Sequence, residues 1–137
     1  MKPMDKLRKQ HIEILEIINN IHVDLKSGTN IEGARSLLIL FGQLSDLLER
    51  HLFLEDDFLY PALKKRSQEN IRNIASQFSI ELGGIKNIFL KYLEKWASAD
   101  NIVHSHSVFM SESKDLISAL QQRIAKEDQE LFPLIGA

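Results

Sequence analysis

Apolar residues recur along the chain at alternating spacings of four and three, the period that lines one face of a helix. The first such stripe is Leu7, His11, Ile14, Ile18, Ile21 and Leu25, which predicts a helix over 5–26. Ser27, Gly28 and Thr29 then supply a glycine stop, and Asn30 is the expected cap of the next helix. A second stripe runs Leu37, Phe41, Leu44, Leu48, His51, Glu55 and Phe58, until Pro61 disturbs the backbone and 64–68 turns polar. The third, Ile71, Ile74, Phe78, Glu81, Ile85, Ile88 and Tyr92, predicts a helix over 69–97. The fourth, Val103, His106, Met110, Ser113, Ile117, Leu120, Ile124, Glu127 and Leu131, predicts one over 103–131. Four amphipathic helices joined by short connections, with no strand pattern, give an all-α expectation: an antiparallel up-down-up-down four-helix bundle forming one domain over 1–137.

The interruptions of these stripes carry the chemistry. His11, His51, Glu55, Glu81 and Glu127 fall on positions that the repeat assigns to the interior, where an ionised carboxylate must be paired, protonated or bound to metal. Antiparallel neighbours meet at their loops, so residues at equal distances from a connection share a level. Around residue 67, His51 and Glu55 lie 16 and 12 residues before and Glu81 lies 14 after. Around residue 100, Glu81 lies 19 before and Glu127 lies 27 after, the loosest fit of the set. All five therefore gather toward one end of the bundle, with every helix contributing. His51 and Glu55 are four apart and share a helix face. Imidazole and carboxylate donors without sulfur suit iron, manganese or zinc. The Glu-x-x-His motif that ferritin-like bundles use twice does not occur.

Composition narrows the choice. The 17 basic residues against 19 acidic ones leave a net charge of -2, without the positive excess that nucleic acid or an anionic membrane selects. The longest apolar run, Leu37 to Phe41, is five residues, so no membrane span is expected. With no cysteine, any metal must be held by nitrogen and oxygen. The first six residues lead into a charged helical pattern instead of an apolar signal, which makes a cytoplasmic location the expectation. No nucleophile or acid–base pair beside an open cleft stands out, so binding is expected ahead of catalysis. His22, His104 and His106 map near the opposite end as surface residues. Gly83 and Gly84 inside the third helix permit a close helix approach, or an opening beside Glu81 for a small ligand. Leu38 and Leu93 sit at outer positions that leave room for self-association.

Three segments together resemble the hemerythrin-like, or HHE cation-binding, domain, over almost the whole chain. They are Gln10-His11-Ile12, the run from His51 through Glu55-Asp56-Asp57 to Tyr60-Pro61, and Glu127-Asp128-Gln129-Glu130-Leu131-Phe132-Pro133. The resemblance implies a four-helix bundle with a non-haem di-iron site, in proteins that bind dioxygen, sense iron or oxygen, or respond to nitric oxide. It implies His11, His51, Glu55 and Glu127 as ligands, the carboxylates bridging and the histidines terminal. Two positions depart from the pattern. Gln77 or Phe78 stands where the third helix should carry a histidine, and Arg123 stands four residues before Glu127 in place of another. A guanidinium ~5 Å from a divalent ion opposes binding by up to ~7 kcal/mol at an effective dielectric of ~20. Glu81 is the candidate substitute for the missing histidine. Two readings stay open. In one, His11, His51, Glu55, Glu127 and Glu81 hold one or two iron ions, with a diatomic ligand. In the other, the bundle is metal-free: Arg123 beside Glu127, reaching Glu55, neutralises the carboxylates, and the chain serves as a structural or protein-interaction module for a partner or a second copy.

Overall fold

The computed structural model describes residues 3–26 and 30–135, so the glycine stop expected at 27–29 lies outside the described residues. Every element among the described residues is helical. The first run is α1 (Pro3–Lys26). The second is continuous through α2 (Ile31–Phe53), a π-helical segment (Leu54–Leu59) and α3 (Tyr60–Leu63). The third is α4 (Glu69–Leu82) and α5 (Ile85–Lys95), interrupted at Gly83 and Gly84. The fourth is α6 (Ala99–His104), α7 (His106–Lys126), a second π-helical segment (Glu127–Leu131) and α8 (Phe132–Ile135). α1 packs along α2, and α7 packs on α1 and α5. Asn30 caps α2 as predicted, its Oδ1 accepting from the Gly33 N–H at 2.7 Å. No helix among the described residues is long and apolar enough to cross a membrane.

The two π-helical segments share a cause. In each, a wide turn closes over five residues: the Tyr60 N–H donates to the Glu55 carbonyl and the Phe132 N–H to the Glu127 carbonyl. Pro61 and Pro133 follow directly. A proline ring inside a regular helix collides with the carbonyl four residues back, and a widened turn moves that carbonyl aside. The extra residue also shifts the inward face. Tyr60 is buried where the periodicity placed Phe58, which is 58% exposed and packs edge-on against Phe53. In the second segment the wide turn buries both Leu131 and Phe132.

Two apolar clusters flank a polar layer. The larger gathers α1 from Ile14 onward, most of α2, α5, α6 and α7, with the Phe109 ring in contact with those of Phe41, Tyr92 and Trp96. The smaller closes the other side with Met4, Leu7, Tyr60, Leu63, Ile71, Phe78 and Phe132. Between them lie His11, His51, Glu55, Arg123 and Glu127, all buried. The first stripe is buried throughout. On the third, the buried line runs Ile71, Ala75, Phe78, Ile85, Phe89, Tyr92 and Trp96, one position away from Glu81 and Ile88. On the fourth, the turn at Ser105 puts Ile102 and Phe109 inside while Val103 is exposed and His106 lies at the edge. Leu38 and Leu93, expected as outer positions, are partly buried against the larger core.

Candidate metal centre

Each polar residue of the layer is delivered by a different stretch of helix. His11 comes from α1, stacked on the Phe132 ring with centroids 5.3 Å apart. His51 comes from the last turn of α2, Glu55 from the first π-helical segment, Arg123 from α7 and Glu127 from the second π-helical segment. The Nε2 atoms of His11 and His51 face each other at 3.0 Å. Glu127 Oε1 lies 3.1 Å from His11 Nε2, and Glu55 Oε1 lies 3.1 Å from His51 Nε2. One ligand atom from each of His11, His51, Glu55 and Glu127 can be chosen so that all four lie within 4.8 Å of one another. The four residues expected from the sequence are thus brought together.

The outer nitrogens decide what the inner ones can do. His11 Nδ1 is 2.8 Å from Asp128 Oδ1, and His51 Nδ1 is 2.8 Å from Gln10 Oε1. Both oxygens only accept, so both Nδ1 atoms carry the proton. That leaves the two Nε2 atoms facing one another and carboxylate oxygens, where a proton or a metal ion can be shared between them. Outer hydrogen bonds of this kind are what orient metal-binding imidazoles and raise their basicity. Glu55 Oε2 is buried and receives no hydrogen bond, 3.9 Å from His11 Nε2. The chemistry of the set, two imidazoles and two carboxylates in a dry layer, fits a divalent ion of borderline or hard character.

The electrostatics agree with a layer that is short of positive charge. Burial, reinforced by the neighbouring charge of Glu127 and only partly offset by Arg123, pushes the Glu55 carboxyl well above the usual range. Burial also works against ionising Glu127, but hydrogen bonds from His11 and Glu55 and the charge of Arg123 hold it down to about 2. The two carboxyl groups are thus driven in opposite directions, Glu55 toward its protonated form and Glu127 toward its ionised one. Burial, aided by His11, holds His51 down to about 3, so its imidazole is neutral. Arg123 stays charged against burial because Glu127, Glu55 and Asp56 surround it.

Glu81 does not join the cluster. It lies at the level of Glu127 but on the outer face, 3.2 Å from Lys126 Nζ and hydrogen-bonded to Gln77. At the corresponding inward position of α4 stands Phe78, so the third run supplies no ligand among the described residues. The structure adds four residues that periodicity did not assign. Tyr60 donates its hydroxyl to Glu127 Oε2 at 2.7 Å. Asp128 and Gln10 orient the imidazoles, and Asp56 Oδ1 lies 3.1 Å from an Arg123 nitrogen. The repeated Glu-Asp pair of the two acidic runs was the available signal for both aspartates.

The family model of the hemerythrin HHE cation binding domain matches residues 2–135. Comparison with curated proteins gives no match, and neither does comparison with solved structures.

Proposed function

The chain belongs to the hemerythrin HHE cation-binding domain family, and on that footing we propose that its buried layer binds non-haem iron in a sensing or storage role toward iron, dioxygen or nitric oxide. His11, His51, Glu55 and Glu127 are the ligands. The observation that carries this reading is the pair of facing Nε2 atoms beside an unpartnered carboxylate oxygen, with both Nδ1 atoms already engaged outside. When bound, iron in a nitrogen and oxygen set supplies a Lewis-acidic centre that can change oxidation state and accept a small ligand. The chain's own part is to exclude bulk water with the two apolar clusters, to fix the imidazole tautomers, and to keep the carboxylates unsolvated. We read the four helical runs as an antiparallel up-down-up-down bundle, which accounts for His11, His51, Glu55 and Glu127 meeting at one level.

A second reading rests on Arg123. Its contacts with Glu55, Asp56 and Glu127 favour a metal-free ionic layer, with the chain serving as a structural or interaction module. Elemental analysis separates the two. Protein purified after growth with added iron is expected to carry bound cation, with iron retained ahead of zinc and manganese. His51→Ala, checked for native helicity, is expected to lose it. Wild-type protein that stays metal-free after anaerobic reconstitution with iron(II), manganese(II) or zinc(II) overturns the metal reading.

A further inference from the structure

We propose that Arg123 is the built-in second cation of this layer, so that the site takes one divalent ion per chain and excludes a second. The inference rests on the cation-binding reading above and fixes its stoichiometry. Each carboxylate touches both an imidazole and the guanidinium. Glu127 directs Oε1 to His11 Nε2 at 3.1 Å, while its Oε2 accepts from the Tyr60 hydroxyl and lies 3.4 Å from Arg123 Nε. Glu55 Oε1 lies 3.1 Å from His51 Nε2 and 2.9 Å from an Arg123 terminal nitrogen. Glu127 thus divides its oxygens between an imidazole and the guanidinium, whereas Glu55 shares Oε1 between His51 and Arg123 and keeps Oε2 free of hydrogen bonds.

The guanidinium cannot be traded easily for an ion. It is 3% exposed, held by Glu55, Glu127 and Asp56, and lies against the Tyr60 ring with 5.9 Å to its centroid. It offers five N–H donors and no lone pair, and it does not release its proton, so it neutralises carboxylates permanently while ligating nothing. A second ion would have to displace it from both carboxylates and find further donors. Phe78 occupies the inward position of α4, and no other buried histidine, aspartate or glutamate joins the cluster among the described residues. The local frame makes the substitution legible. His51 and Glu55 are four residues apart leading into one wide turn, and Arg123 and Glu127 are four apart leading into the other.

Manganese(II) titration of the metal-free full chain tests this, read by equilibrium dialysis and by electron paramagnetic resonance. One equivalent with the spectrum of an isolated ion is expected for the wild type. Arg123→His, which replaces the fixed charge with a lone pair in the frame of His51, is expected to approach two equivalents with exchange coupling. Two coupled ions in the wild type overturn the role of Arg123 while leaving the cation-binding reading intact. No binding of manganese(II), zinc(II) or iron(II) overturns both. A folded Arg123→His protein that still takes one ion also overturns the proposal, and if that variant does not fold, the wild-type stoichiometry and spectrum decide.

Discussion

The end of α2 and the end of α7 are two versions of one device. Each carries a buried side chain, a buried glutamate four residues on, an aspartate next to it, a five-residue turn, and an aromatic residue followed by proline. They differ at the first position, His51 in one and Arg123 in the other. His51 is neutral and presents a lone pair, so its end of the layer needs a positive guest. Arg123 brings its own charge, so its end is already closed. The aspartates cross over: Asp128, in the Arg123 segment, engages the imidazole of His11, and Asp56, in the His51 segment, engages Arg123. One backbone frame can thus serve coordination or ion pairing, and a single side chain decides which. The apolar half of the molecule offers a contrast, because its buried Tyr92 hydroxyl pairs with the neutral Ser113 hydroxyl and asks for nothing more.

Breaking the ion-paired end has the largest expected effect on the metal-free protein. Arg123→Ala leaves Glu55 and Glu127 without their buried counter-charge and should cost about 3–5 kcal/mol in chemical denaturation. A loss below about 1 kcal/mol would mean the carboxylates do not depend on Arg123. The aspartates sharpen the comparison next. Asp128→Asn should weaken metal affinity by about 10–100-fold, the range typical of partners that orient ligands. Asp56→Asn, whose partner is the Arg123 guanidinium, should leave affinity nearly unchanged and cost at most about 1 kcal/mol of stability. Equal effects of the two on metal affinity would erase the distinction between imidazole-orienting and ion-paired aspartates.

A pH series resolves a smaller effect. His51 has an ordinary value of 6.5 and is held at about 3 in the fold. Between about pH 6.5 and 4.5 the unfolded chain therefore takes up a proton there that the folded chain refuses. Acidification through this window should destabilise the metal-free protein by up to about 1.4 kcal/mol per pH unit from this group. Glu55 acts oppositely: its raised value lets the fold keep a proton that the unfolded chain releases above about 4.5. Glu55→Gln removes that opposing contribution, so in chelator its stability should fall more steeply on acidification than that of the wild type. Identical slopes would contradict a protonated Glu55. Glu81→Gln, on the surface outside both ends, should stay within about 0.5 kcal/mol and keep full metal content.

The four helical runs and the convergence of His11, His51, Glu55 and Glu127 in one buried layer were legible because burial repeats at four and three along regular helix. Legibility failed where the helix stopped being regular or where two faces looked alike. Phe58 was placed inward by a period that the wide turn breaks, and Tyr60 took its position. No hydrophobic pattern announces a five-residue turn, although the proline after each acidic run marks where one relieves a clash. Glu81 shows the other failure. It pairs with Lys126, next to Glu127, but Ile74, Glu81 and Ile88 form a line one residue from the buried one. With isoleucines on both lines, about 100° apart on the helix, composition alone does not choose between them. Arg123 was legible both as a departure and as a neighbour of Glu127 and Glu55, because helical spacing fixed its direction.

The claim at the centre is that the two inward imidazole nitrogens and the carboxylate pair surround one metal ion. Anomalous diffraction from crystals of iron- or manganese-loaded protein, recorded at that metal's absorption edge, tests it directly. A single strong peak within bonding distance of His11 Nε2, His51 Nε2, Glu55 and Glu127, with Arg123 still paired to the carboxylates, is the predicted result. An empty layer in crystals that carry the metal elsewhere, with the histidine pair unchanged, would contradict it.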